Sequence, residues 1–170
     1  MQYLEMETTL GNTIFAANED AEPHGLAGIW FDNQRHFNGV QAGWQRSDSA
    51  LLQDAAQQLQ AYLAGDLAEF KLPLAPQGTA FQHNVWQALQ QIPYGATCTY
   101  GELAERMQQP KAVRAVAVAI GRNPLTIVIP CHRVVGSNGK LTGYAGGLER
   151  KAWLLALEGS TANFKLTAEA

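Results

Sequence analysis

The sequence predicts an α+β protein: a small N-terminal antiparallel sheet with one helix, followed by a mostly helical C-terminal domain containing a helix-turn-helix. Three observations predict it. Apolar and polar residues alternate near the start of the chain, and apolar residues recur at helical spacing from residue 50 onward. Between them and the next helical segments lies Lys71–Gly78, with two prolines and a glycine.

Tyr3–Thr8 alternates, Leu10, Gly11 and Asn12 make a turn, and Thr13–Ala17 resumes an extended run. Gly28–Phe31 is a third strand, whereas Val40–Ser47 is ambiguous. Asp48 and Ser49 suit the cap of a helix starting at Ala50, because their side-chain oxygens accept from its first unpaired N–H groups. Leu51, Leu52, Ala55, Leu59, Tyr62 and Leu63 form its apolar stripe, and Gly65 stops it. These signals divide the chain into an N-terminal supporting domain (1–72), a linker (73–78) and a C-terminal domain (79–170), with a disordered or loosely ordered tail after about residue 160.

Thr79 caps the next helix, whose Phe81, Val85, Trp86 and Leu89 face a core, and Ile92-Pro93-Tyr94-Gly95 ends it. Two short helices follow, Tyr100–Met107 and Pro110–Arg122, separated by Gln108 and Gln109. Pro110 suits a first helical position, where a missing N–H costs nothing. Two helices with a tight turn outline either a helix-turn-helix or a plain helical hairpin. The second is rich in small residues, from Ala112 to Ala119, punctuated by Lys111, Arg114 and Arg122. Small residues let a backbone approach another helix or a DNA groove, and the packing reading explains Arg114 in their midst less readily.

At 170 residues the chain holds one ordinary domain or two small ones. A hydrophobic content of 46% and a charged content of 16% are those of a folded globular protein. No apolar run is long enough to cross a bilayer, and the first ten residues hold two acids and no base, unlike a signal peptide. The expected location is the cytoplasm, with no membrane partner. The net charge of −3 hides an asymmetry. Residues 1–80 carry three bases against ten acids, a net −7, and residues 81–151 carry eight bases against three acids, a net +5. Such a split points to polyanion binding by one part only, against the alternative of uneven surface charge. Of the two cysteines, Cys98 reads as a small buried hydrophobe. With His24, His36 and His83 they show no zinc-ligand spacing, so no metal is expected, and nothing else favours a disulfide.

The most informative stretch is Thr126–Val135, a strand-like apolar run leading through Pro130 to Cys131, His132 and Arg133, with Lys140 close behind. Thiolate is the nucleophilic form of cysteine, and nearby positive charge or a base favours it. Cysteine–histidine adjacency alone also fits a structural pair. The wider pattern resembles the O6-alkylguanine-DNA alkyltransferase family over about Phe81–Gly159. The matching pieces are Val85-Trp86, Ile92–Gly95, Tyr100–Ala104, Lys111–Val116, Asn123-Pro124, Ile129–Val134, Gly143–Gly147 and Trp153–Gly159. The N-terminal half is similar only in outline.

The resemblance implies DNA repair by direct reversal, in which Cys131 takes the alkyl group from O6-alkylguanine, with O4-alkylthymine as a further substrate to consider. It implies that His132 takes the thiol proton through a water and that Glu158 orients the imidazole, the nucleophile–base–orienter logic of triads. Tyr100 would donate to N3 of the departing guanine. The thioether has no leaving group for water to displace, so each molecule acts once and needs no cofactor. The alkylated O6 lies inside the duplex stack, so the nucleotide must be flipped out. The family's pattern puts Arg114 in the vacated space and the recognition helix, with Lys111, Ala112, Ala117 and Arg122, in the minor groove of double-stranded DNA, bound by a monomer. It puts Asn123 between that helix and the cysteine loop, and Val134, Tyr144, Ala145 and Gly146 around the pocket. Ala145 stands where many relatives have serine, and the family's occasional zinc cysteines are absent. Three other readings compete: a non-catalytic lesion-binding relative, an alkylation-sensing regulator, and a Cys–His acyl hydrolase.

Overall fold

The alternating N terminus folds as a hairpin because Gly11 closes a tight connection between two strands of matched length. In the computed structural model, which describes residues 1–160, β1 (Gln2–Thr8) pairs antiparallel with β2 (Gly11–Asn18), from Gln2↔Ala17 to Thr8↔Gly11. The expected tail after residue 160 lies outside the described residues. β3 (Gly25–Phe31) pairs antiparallel with β2 and starts three residues earlier than the sequence predicts. Gly25, Leu26 and Ala27 are all buried, so they lack the alternation that marks a half-exposed strand. Residues left unassigned by the sequence supply β4 (Gln45–Arg46), which runs parallel to β1, so the sheet order is β3-β2-β1-β4 and one edge is not antiparallel.

α1 (Ala50–Leu63) begins where Ser49 accepts from the Leu52 N–H, and it buries Leu52, Ala55, Ala56, Leu59 and Tyr62. Full burial of each leucine contributes roughly 1.5–3 kcal/mol. Contacts divide the chain into two units, and the first, Met1–Gln77, also takes in Pro124–Thr126. Ile29 N–H donates to Pro124 O (2.9 Å), Thr126 N–H donates to Ile29 O (3.2 Å), and the Gln34 side chain meets the Thr126 hydroxyl at 2.8 Å. Pro73 and Ala75 pair with Leu26 of β3, through Leu26 N–H to Pro73 O and Ala75 N–H to Leu26 O, both 2.8 Å. These pairings satisfy backbone groups at the sheet's edge.

The second unit contains α2 (Ala80–Leu89), β5 (Cys98–Thr99), α3 (Tyr100–Arg106), α4 (Val113–Gly121), a 3₁₀ turn at Cys131–Arg133, β6 (Val134–Val135) and α5 (Leu148–Leu157). α2 and α3 open with reciprocal capping boxes, Thr79 with Gln82 and Thr99 with Glu102. The helix after the turn begins at Val113 rather than Pro110, because Gln108 is left-handed (φ 60°) and Ala112 N–H bonds Gln109 O in a turn. Pro110 therefore lies in the turn. The small residues of α4 serve helix packing on one side and leave the other side exposed. Val116, Ala119 and Ile120 pack inward, with the Trp86 indole N–H donating to Ala119 O at 3.0 Å, while Arg114, Ala115 and Val118 face outward. The run before the cysteine is not a strand: Ile127 and Val128 form a turn, with Ile127 at φ 76°, an unusual conformation for a β-branched residue.

Candidate active site

Cys131 reaches its position through backbone geometry. Pro130 (φ −81°, ψ 64°), with Cys131 N–H bonded to Ile129 O at 2.8 Å, makes an inverse γ-turn that leads into the 3₁₀ turn. Asn123, two residues beyond α4, fixes both sides of this bend. Its Nδ2 donates to Ile129 O (2.8 Å) and to Cys131 Sγ (3.2 Å). Burial pushes the Cys131 thiol up, opposed by the Asn123 donor and by the charge of Lys151. The resting sulfur is therefore a protonated thiol that needs a base.

His132 has a fully buried side chain, and its Nε2 lies 2.8 Å from Glu158 Oε2. Burial holds the imidazole below its usual pKa, with Glu158 pulling the other way. A carboxylate at Nε2 accepts a proton from it, which leaves the lone pair on Nδ1. That Nδ1 is buried and has no hydrogen-bond partner among the described residues. Glu158, next to the end of α5, is shared with a second cation. Arg133 donates from Nε to Oε1 (2.8 Å) and from a terminal nitrogen to Oε2 (2.9 Å), and its other terminal nitrogen reaches Ile92 O (2.7 Å). Its guanidinium also lies 5.8 Å from the Tyr94 ring centre. Arg133 thus clamps the carboxylate, a role that sequence adjacency to the cysteine conceals.

Lys151 is the residue missed by sequence reasoning. It is 1% exposed, and its Nζ donates to Thr142 O (3.0 Å) and Gly143 O (3.4 Å). Burial pulls its pKa down to about 8, and negative charge on Cys131 raises it. The signal available was its placement at the position after Arg150, where the inward stripe of Leu148, Leu154 and Leu155 leaves the lysine facing the core. Tyr100, the first residue of α3, donates its hydroxyl to the same Thr142 carbonyl at 3.0 Å, and burial raises its pKa, so the phenol keeps its proton.

Of the expected pocket residues, Val134, Tyr144 and Gly146 are buried and Ala145 is half-buried. Gly146 O accepts from Arg150 at 3.0 Å. Of the expected DNA-contacting residues, Lys111 and Ala112 precede α4, Arg114 and Arg122 are exposed, and Ala117 is half-buried. Among the described residues no group of three or more histidine, cysteine or acidic side chains is placed to hold a metal ion, and no helix is long and apolar enough to cross a membrane.

A thiol beside a buried base, with a carboxylate fixing that base, is the constellation of a cysteine-nucleophile protein, here carried on a domain with a helix-turn-helix. Comparison narrows the class. Residues 1–76 match the 6-O-methylguanine DNA methyltransferase ribonuclease-like domain and residues 80–160 its DNA-binding domain. The methylated-DNA–protein-cysteine methyltransferase of Methanosarcina acetivorans is 47% identical over 160 residues, covering 94% of this chain and 99% of that one. Its counterpart in Mycolicibacterium paratuberculosis is 53% identical over 122 residues, covering 72% and 73%. The crystal structure of Mycobacterium tuberculosis OGT in complex with DNA superposes with a TM-score of 0.83 at 41% identity, covering 93% of this chain and 92% of that one. The chain belongs to the 6-O-methylguanine DNA methyltransferase family.

Proposed function

We propose that the chain repairs DNA by moving an alkyl group from O6-alkylguanine onto Cys131, stoichiometrically and irreversibly. The observation that carries this reading is the Asn123-held thiol next to a buried His132–Glu158 pair, within a family of methylated-DNA–protein-cysteine methyltransferases. His132 Nδ1 takes the thiol proton through a water, and Sγ attacks the alkyl carbon in line as the C–O6 bond breaks. The proton carried by His132 is stabilised by Glu158, whose geometry Arg133 keeps fixed. The departing guanine leaves as an anion, which the phenol of Tyr100 protonates at N3. In doing so Tyr100 turns away from Thr142 O, and Lys151 keeps that carbonyl partnered.

The substrate nucleotide leaves the duplex, because a stacked O6 is out of reach of a buried sulfur. α4 enters the minor groove with Arg114 in the vacated stack, and Val118, 66% exposed, adds an apolar contact on the same outward face. Val134, Tyr144, Ala145 and Gly146 line the base pocket. The protein acts as a cytoplasmic monomer. The test is stoichiometry: with duplex DNA carrying O6-methylguanine in excess, methyl transfer should stop at one group per chain. Sustained turnover contradicts the reading and favours a hydrolase, and DNA binding without transfer favours a lesion-binding protein.

A further inference from the structure

The first unit carries a cavity unrelated to the cysteine. It has a volume of about 270 Å³ and is lined by Trp30, Phe37 and Trp44, with the amide side chains of Asn38, Gln41 and Gln77 among its polar walls. The rings form a row: Trp30 stacks on Phe37 at 4.6 Å and 8°, Trp44 lies 6.1 Å from Trp30, and Tyr3 lies 6.4 Å beyond Trp44. The sequence makes room for the middle of this row. A Cβ at Gly28 would stand 1.9 Å from the Trp30 indole, so only glycine lets that ring lie on the sheet.

The tryptophans of this chain differ in how their N–H groups are used. Trp86 is buried and spends its indole N–H on Ala119 O, as a core tryptophan should. Trp30 and Trp44 are half-buried, and among the described residues neither indole N–H has an acceptor. Among the described residues, two of the four exposed large hydrophobic residues, Met1 and Val40, lie at or beside the same cavity. An apolar, ring-lined groove with spare donors and no charged side chain in its lining calls for a ligand with flat apolar surface and free acceptors. A polyproline II segment has both, since proline rings are apolar, proline nitrogens carry no hydrogen, and the carbonyls make no internal bonds. Stacked nucleobases would also suit aromatic rings. Their phosphates would meet a unit in which residues 1–77 carry ten acids against three bases.

We infer that this groove docks a proline-rich segment of a partner protein, flanked by basic residues that complement the acidic unit. Rings of the segment seat against Trp44, and the two indole N–H groups donate to its carbonyls.

The test uses the full chain, ¹⁵N-labelled, and a synthetic peptide of six prolines flanked by lysines. A control peptide has alanines in place of the prolines, and a short oligothymidylate is the nucleic-acid arm. The proline peptide should shift the indole N–H signals of Trp30 and Trp44 saturably while leaving that of Trp86 in place. Trp44→Ala should weaken binding at least about tenfold, as truncation of an aromatic anchor does, with alkyl transfer unchanged as the check on folding. Gln77→Ala, on the rim, should weaken it by a smaller factor without disturbing any ring. The inference is overturned if no indole signal moves at millimolar peptide, if the alanine control binds equally, if oligothymidylate binds the groove in preference, or if neither variant changes the affinity.

Discussion

One small ribbon connects the two cysteines in the fold. Cys98 sits in β5, and its ladder partner Val134 is three residues beyond Cys131. Both are buried, 2% and 7% exposed, and burial pushes both thiols up. Around Cys98 the nearby charges oppose each other, Arg106 lowering its pKa and Glu102 raising it. Around Cys131 an amide donor and a buried lysine both favour the thiolate, and the next residue is a histidine fixed by a carboxylate. The comparison teaches that burial, which the two share, suppresses reactivity, and that what distinguishes a nucleophile is the set of groups able to take its proton and balance its charge.

The sharpest way to break the comparison is to exchange the roles of the sulfurs. Cys131→Ser should reduce alkyl transfer by about a thousandfold or more, because a hydroxyl is a far weaker nucleophile than a thiolate. Cys98→Ala should transfer at a rate within about twofold of the parent and cost about 1 kcal/mol of stability, the ordinary effect of a small core change. Single-turnover rates and thermal melts check both, and loss of transfer in a folded Cys98→Ala protein would contradict the distinction.

Removing the carboxylate tests the histidine's share. Glu158→Gln should slow transfer ten- to a thousandfold, on the order of the effect of orienting and general-base groups, with DNA affinity nearly intact. It should also lower the melting temperature, because Arg133 is left as a buried cation without its counter-charge. A variant as fast as the parent in single-turnover kinetics would remove His132 and Glu158 from the proton path.

Access is a separate contribution from chemistry, and Arg114 separates them. Arg114→Ala should impair repair of duplex DNA much more than reaction with free O6-benzylguanine, since extrusion of the nucleotide costs a few kcal/mol and the free base needs none. The salt dependence of DNA binding should soften as well. Equal losses on both substrates would assign Arg114 to the fold or the cysteine site.

The smallest effect expected is in the acid limb of the pH profile. The His132 pKa lies below its ordinary 6.5, so the imidazole remains a neutral base as pH falls through that value. Transfer should hold its rate from pH 8 to below 6.5 and decline only in more acid solution. The same shift lowers stability as pH falls below 6.5, where the unfolded chain takes up a proton that the native histidine refuses. A rate already halved at pH 6.5 would indicate an unshifted histidine.

The cysteine motif was legible because its chemistry is local: Pro130, Cys131, His132 and Arg133 are contiguous, whereas Glu158, 26 residues beyond His132, entered only through the family resemblance. Helix starts were legible where a capping side chain marked them, at Ser49 and Thr79, and misplaced where none did, at Ala112, which makes no side-chain cap bond. Lys151 stayed hidden because a lysine beside Glu149 and Arg150 looks like part of a solvated helix face, and only the packing of α5 turns it inward. The return of Pro124–Thr126 to β3 was hidden too, since three residues are too few to display a period. The parallel pairing of β4 with β1 involves two residues, Gln45 and Arg46, neither of them apolar.

The contrast between the two sulfurs can be read in one experiment. The protein is incubated with duplex DNA containing a single O6-methylguanine, and its intact mass and cysteine peptides are then measured. The account predicts one added methyl per chain, carried wholly by the peptide containing Cys131, with the Cys98 peptide unmodified and no cofactor supplied. A methyl on Cys98, or demethylated DNA with an unmodified protein, would contradict it.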